Sequence, residues 1–573
     1  MISFLNSLAE CLEKKVLLRH VLFLAVTLLT IWISGYHYGT FDQVIHIPFL
    51  KKLSDPGLYP ADPFLNLRYE HYSFFWMMFI PAYRAGILEP VMFIVHVLAI
   101  YSLVWMFWEL TETIFHNNLA NLLSLILLIF PHLGMPGFPI VEFSLLNRTF
   151  ALPFILAAII LYLRRSYVPA FLLLGVMFNI HAIYAGFAAV MILFDLLLRH
   201  SEVGWKNLIK GVALLICGAL PVLVWRSGSI PIDLQIRPDV LKLASSALLA
   251  GVYYIFLPSP QIFLGTMHGI ATLAFFLLGR RLNLSGYDRA MTNFVLAIGI
   301  VLFIQLITTY WFPITFILQL QILRIGVFLL LIGYIYFAGY IARRLQQGSL
   351  GGISGGLVLV SFVGYPSPLL PLLFLLLKHW LDKYRWRQLT GTTLFGIISV
   401  ASLLGCFISG IWSPGVYLFE PKSFWTQTQD WARNNTPRDA MFITPPEILS
   451  HYIPDWRTFS ERGTLATLVE IFEFPHPDYF PAWREKFEAL APGAINQFNG
   501  NYLDTFTLTR NAYYSLKPED YLRIAHKYKV RYLVIEKPHL QPFPVVYENE
   551  GFEVYDLQIV LQPARFQSKI PAS

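Results

Sequence analysis

Residues 168–198 read VPAFLLLGVMFNIHAIYAGFAAVMILFDLLL, with Arg164 and Arg165 just before them and Arg199, Lys206 and Lys210 just after. As one helix, this run would leave a basic cluster on each side of a membrane, against the tendency of Lys and Arg to stay cytoplasmic. Keeping both clusters on one side requires the run to enter and return, with a break near Asn179, Ile180 and His181. The stretch therefore predicts a hairpin of short helices inside a membrane protein.

Working outward, apolar runs recur at about 21–34, 91–110, 119–131, 149–163, 208–225, 262–279, 290–310, 323–342, 351–377 and 391–412. Most have the length a membrane span needs. The run 351–377 contains Pro366, Pro368 and Pro371, which break a helix interior, so it reads as a second hairpin. Lys14/Lys15/Arg19, Arg280/Arg281/Arg289, Arg343/Arg344 and Lys378/Lys383/Arg385/Arg387 then fall on the same side as the clusters around the first hairpin. Nine full crossings and two hairpins give about 13 membrane segments. The fold class is mainly α, with the N-terminus cytoplasmic and the C-terminal part extracytoplasmic.

Composition agrees, since 56% of the 573 residues are apolar and 13% are charged, against about 25% charged in soluble domains. Residues 1–412 hold 26 Lys and Arg against 16 Asp and Glu, and residues 413–573 hold 16 against 19. A basic membrane part suits anionic lipid, and no clustered basic and aromatic footprint points to nucleic acid. Cys11, Cys217 and Cys406 lie too far apart for a metal-ligand spacing. The first apolar run is followed by Gly35, Tyr36 and His37 rather than a small-residue cleavage site, so it reads as a retained helix. Residues 35–90 form a long first extracytoplasmic loop, in which 72–88, interrupted by Pro81 and Arg84, lies on the membrane surface.

From Phe419 the pattern changes to that of a small α/β soluble domain covering residues 413–573. It has a helix bearing Trp425 and Trp431, a strand at 440–444 and a loop with Arg457, Glu461 and Arg462. A helix at 517–528, a strand at 532–535 and a terminal strand pair at 545–547 and 552–555 follow. It carries no glycine-rich phosphate loop, no nucleophile elbow and no zinc spacing.

Chemistry is sought among the few charged residues near the apolar runs. A helix through residues 41–50 puts Asp42 and His46 four residues apart on one face, just above the membrane. There Asp42 suits a general base or a metal ligand, and it equally suits a helix cap. Asp62, between Pro60 and Pro63, reads as a turn residue. Glu142 and Arg148 flank the start of the next apolar run, where Glu142 either faces Asp42 across a cleft or pairs with Arg148. His181 sits at the apex of the first hairpin, as a packing residue or a contact to lipid phosphate. Arg324 closes Gln319-Leu320-Gln321-Ile322-Leu323-Arg324 and places a permanent cation at the outer end of an apolar helix, where phosphate is a natural partner and snorkelling the alternative.

The order of Asp42, the Tyr59-Pro60 and Asp62 loop, Glu142, the Arg164-Arg165 turn into a hairpin, and the Gln-Leu-Gln-x-x-Arg stretch ending at Arg324 resembles the GT-C superfamily of membrane glycosyltransferases. Residues 431–437 (WARNNTP) and 544–552 (PVVYENEGF) resemble the extracytoplasmic domain found with such membrane parts in a group of bacterial proteins. The resemblance implies a bacterial inner or plasma membrane location and transfer of a sugar from a polyprenyl-phosphate donor to a glycan, lipid or protein acceptor. It implies Asp42 as base or ligand of a divalent metal such as Mg or Mn, Glu142 as second acid, and Arg324 with His181, Arg148 and His46 around the donor phosphate. The chain departs from many members in lacking a second acid beside Asp42 and in carrying His181 where a Lys is common. A lipid or glycan transporter or flippase, and a non-catalytic membrane scaffold, are the alternative readings.

Overall fold

The computed structural model describes residues 12–561 apart from 13, 41, 136–138, 229–232, 257–258, 283–284, 351, 420–421, 447–454, 475 and most of 379–414. Phe41, the basic cluster at Lys383, Arg385 and Arg387, and the apolar run 391–412 taken as a span lie outside the described residues or almost wholly so. Among the described residues, six helices are long and apolar enough to cross a membrane: Val16–Ser34, Leu88–Phe115, Trp205–Ser227, Pro260–Arg280, Asp288–Tyr310 and the compound segment Thr315–Gln346. Large apolar side chains such as Leu17, Trp32, Ile209, Val224, Phe263 and Phe303 stand exposed on these helices. Apolar surface of that extent calls for a lipid solvent, and the chain is built as a multi-pass membrane protein. Residues of the 326–342 stretch are buried throughout, which makes it the central helix of the bundle.

The run that opened the sequence reading is two helices, Tyr167–Phe178 and Ala182–Leu198. The turn between them loses helical hydrogen bonds and replaces them locally. Asn179 Nδ2 donates to Gly218 O at 2.7 Å, its Oδ1 accepts from Val222 N, and its carbonyl accepts from Phe74 N. Ser73 Oγ donates to Ile180 O at 2.7 Å. The 351–377 run is likewise split, into Gly352–Gly364 and Leu369–Leu376, around Pro366 and Pro368. The 119–131 run yields a helix of ten residues, Asn118–Leu127, capped by the Asn117 side chain and closed ahead of Pro131. Its rise of about 15 Å is half a hydrocarbon core.

Two layers meet above this bundle. The two-residue strand β1 (Tyr36–His37) pairs in parallel with β2 (Val416–Tyr417), so the chain comes back beside the end of its first helix. Beyond it lies a mixed five-stranded sheet of β3 (Met441–Ile443), β4 (Gly463–Thr464), β5 (Tyr532–Glu536), β6 (Val545–Glu548) and β7 (Phe552–Asp556), in the order β4-β3-β5-β7-β6. Helices Phe424–Asn435, Tyr479–Leu490, Tyr502–Tyr514 and Pro518–Tyr528 belong to the same domain. Its core is shared with the membrane part: Val240, Leu241, Tyr253 and Leu318 pack among Trp483, Phe487, Tyr513 and Leu533.

The 35–87 segment is the other seat of this domain. Gly39 has φ +76°, and a Cβ there would lie 3.1 Å from the Phe459 ring. Tyr59 OH donates to Arg457 O at 2.8 Å, and Lys51 Nζ pairs with Glu461 at 2.9 Å with both side chains buried. Asp62 makes the expected turn by accepting from Phe64 N, and it also holds Arg457.

Candidate functional site

Asp42 ends up beside Glu142 because two backbone ties hold the segments that carry them. His37 N donates to Phe143 O at 2.7 Å, and the buried Gln43 side chain donates to Leu145 O at 2.8 Å. Gln43 Oε1 also accepts from Gly39 N at 2.8 Å, which closes the turn before Asp42. The helix Gln43–Ser54 then begins, with Asp42 in the N-cap position but with no capping bond from its side chain.

That side chain goes to Arg148 instead. Arg148 Nη1 donates to Asp42 Oδ2 at 2.5 Å and Arg148 Nε donates to Glu142 Oε1 at 2.6 Å. One guanidinium thus holds both candidate acids. Side-chain exposure is 6% for Arg148, 8% for Glu142 and 33% for Asp42, so the pair is sealed on the Glu142 side and open on the Asp42 side. Among the described residues, Glu142 Oε2 has no hydrogen-bond partner.

The other predicted residues gather around this pair. Arg324 follows Gln321, whose φ of +45° interrupts the apolar segment, and lies in the short 3-10 turn Ile322–Ile325. Gln321 is the left-handed C-cap that ends the Thr315–Leu320 helix just before this turn. Arg324 lies within electrostatic reach of Arg148, Asp42 and Glu142, and His181 lies within reach of Arg148, Arg324, Asp42 and His46. His181 Nδ1 accepts from Tyr184 N at 3.1 Å, which leaves the proton of its neutral form on Nε2. His46 stacks on Trp76 with ring centroids 4.6 Å apart and meets His71 edge-on.

Asp42, His46, Glu142, Arg148, His181 and Arg324 therefore form one cluster, drawn from four separate segments. Sequence reading missed Tyr184, which is within reach of both arginines and both acids, and Trp76. The one available signal was that Tyr184 lies a helical turn beyond His181.

No protein-family model matches the chain, and no curated protein matches it.

The two acids are driven apart electrostatically. Burial favours neutral Asp42, but the Arg148 and Arg324 guanidiniums outweigh it and hold the carboxyl below the usual range. For Glu142 burial wins over Arg148, and its carboxyl is pushed up. His46 is lowered by burial, and further by His71, to about 3, so it is neutral at physiological pH. Paired titratable groups pushed in opposite directions are a recurring property of acid–base sites. Each carboxylate accepts from Arg148, and Arg324 adds a second cation beside them.

A cleft of about 470 Å³ lined by Ile114, His116, Leu163, Arg164, Arg165, Gly286 and Tyr287 lies elsewhere. Arg148 and Leu163 stand near opposite ends of the Asn147–Leu163 helix, which puts the cleft about 22 Å along the helix axis from the cluster.

Proposed function

We propose that the protein is a GT-C-type glycosyltransferase that moves a sugar from a polyprenyl-phosphate donor to an extracytoplasmic acceptor. The observation that carries the reading is the bridging of Asp42 and Glu142 by Arg148, with Arg324 and His181 in the same cluster. The reading includes about 13 membrane segments, a cytoplasmic N-terminus and an extracytoplasmic C-terminal domain.

In this reading, Arg148 and Arg324 bind the donor phosphate, and the lipid tail lies among the apolar helices. Asp42 accepts the proton of the acceptor hydroxyl as its oxygen bonds to the anomeric carbon from the face opposite the phosphate. The bond from that carbon to the phosphate oxygen breaks with its electron pair, giving inversion and a lipid phosphate of higher negative charge. The two guanidiniums, bound to the phosphate, stabilise that charge where it develops. Glu142, whose carboxyl burial pushes up against the pull of Arg148, is the second acid beside that guanidinium.

The test compares extracytoplasmic glycans and glycolipids by mass spectrometry in the source organism, a deletion strain, and deletion strains expressing wild type or Asp42→Asn. A sugar that disappears on deletion and returns with wild type, but not with folded Asp42→Asn, supports transfer and names the substrate. Full restoration by Asp42→Asn makes Asp42 structural and removes the reading.

A further inference from the structure

We propose that Arg148 is a ligand-operated clamp on Asp42: a lipid-borne phosphate draws the Arg148 guanidinium to itself and thereby frees the Asp42 carboxylate. This rests on the transferase reading and adds an order of events to it, with donor bound first and base released second.

Three observations carry it. First, Arg148 spends its Nε on Glu142 and its Nη1 on Asp42, so the acid assigned to proton abstraction is occupied by a cation in this state. A carboxylate held this way is a weak base, because the guanidinium stabilises its charged form. Second, the two ends of the clamp differ in accessibility. Glu142 is buried beside Arg148, whereas Asp42 retains a third of its side-chain surface. A phosphate arriving from that side meets the Nη1 end first, where its oxygens can replace the carboxylate with the fork geometry that guanidinium favours.

Third, Asp42 has another place to go. It occupies the N-cap position of Gln43–Ser54, where an Asp side chain ordinarily accepts from the first-turn N–H groups, yet it makes no such bond and has φ −61° and ψ −16°. Turning ψ from −16° to the extended values of a capping residue, a reversal of the Asp42–Gln43 peptide that gives up the Gln43 N–H bond to Thr40 O, would give the released carboxylate those donors. The aspartate thus has two alternative partners, Arg148 and its own helix end, and a phosphate that binds Arg148 biases the choice between them. Without donor the base stays clamped, which guards against reaction with water or a wrong acceptor.

The experiment is a binding cycle on the full chain in nanodiscs, with undecaprenyl phosphate as probe and undecaprenol and inorganic phosphate as separate arms. Affinities are measured for wild type, Asp42→Asn, Glu142→Gln/Arg148→Gln and the triple variant; removing Glu142 with Arg148 avoids leaving a buried acid without its cation. Because phosphate must displace Asp42, Asp42→Asn is expected to tighten binding about tenfold when Arg148 is present and to change it less than about twofold when Arg148 is absent. Unchanged or weaker binding by Asp42→Asn overturns the clamp while leaving the transferase reading in place. Equal tightening in both backgrounds also overturns it, since the effect would then be general relief of charge near Arg324. If wild type and every variant fail to bind undecaprenyl phosphate, the transferase reading falls and the clamp with it. Binding of inorganic phosphate alone, equal to that of the lipid, assigns the site to a free anion and overturns the lipid-borne trigger.

Discussion

Arg457 and Asp62 are 395 residues apart in the chain and meet with Nε 2.6 Å from Oδ2, each with 1% of its side chain exposed. Arg457 also binds Glu470 at 2.7 Å and lies over the Phe64 ring. A guanidinium this buried is tolerated only when carboxylates and hydrogen bonds replace water around it. The C-terminal domain is therefore locked into the segment that presents Asp42, through Arg457, Lys51–Glu461 and the Phe459 contact with Gly39.

Arg457→Gln should destabilise the folded chain by about 3–5 kcal/mol, because it leaves Asp62 and Glu470 buried without their cation. Asp62→Asn should cost less, since Arg457 keeps Glu470 and a more distant Asp455. Thermal unfolding in detergent, read together with protease release of the C-terminal domain, checks both. Equal stability of wild type and Arg457→Gln would show that the contact carries no weight.

A second junction predicts a pH dependence. Glu473 accepts from His71 at 3.1 Å and His476 at 3.2 Å, and His476 also pairs with Glu70. Burial penalises the Glu473 charge, but the two histidines outweigh it and hold the carboxyl down at about 2. For His476 burial is outweighed by Glu473 and Glu70, and its pKa is raised above 6.5. The Glu473 contribution is present above its ordinary 4.5 and lost as pH falls toward 2. The His476 contribution is full below 6.5 and lost as pH rises through its raised value. Docking should be tightest between about pH 4.5 and 6.5, with protease sensitivity of the C-terminal domain growing on the alkaline side. His476→Gln should flatten that alkaline rise.

What was legible in the sequence follows from how rare charge is in this chain. Asp42, Glu142, Arg148 and Arg324 stood out because little else beside the apolar runs can ionise, and the break at Asn179–His181 followed from the arginines on either side of it. Asp62 was read only as a turn, since Pro60 and Pro63 explain it locally while its ion-pair partner is hundreds of residues away. The pairing of Tyr36 with Val416 and the packing of Val240, Leu241 and Tyr253 into the C-terminal core were invisible for the same reason. They are long-range contacts made by short segments with no periodicity of their own.

Gly39 tests whether the C-terminal domain sets the position of the candidate base. Alanine there meets two penalties, a left-handed backbone at φ +76° and a Cβ 3.1 Å from the Phe459 ring. The expected cost is about 1–2 kcal/mol of stability. Sugar transfer should fall more steeply than stability does, because Asp42 is three residues away and the Gly39 N–H bond to Gln43 fixes the turn between them. The comparison is glycan recovery in the deletion strain against the amount of folded Gly39→Ala in the membrane; a loss of transfer no larger than the loss of folded protein would separate the two sites.

His46 and Asp42 lie one helical turn apart and should respond differently to mutation. With its pKa lowered to about 3, His46 is uncharged near neutral pH, and its flat ring packs on Trp76 at an interplanar angle of 19°. His46→Phe preserves that stack and should keep transfer within about threefold of wild type, with no shift of its pH profile between 5 and 9. Asp42→Asn keeps the volume and removes the base, and should lower transfer by about 100-fold or more. Rates measured across that pH range, with the sugar donor identified by the deletion strain, decide the matter. A pH profile that moves on His46→Phe would mean that His46 exchanges protons in the reaction and that the division of roles between these residues is wrong.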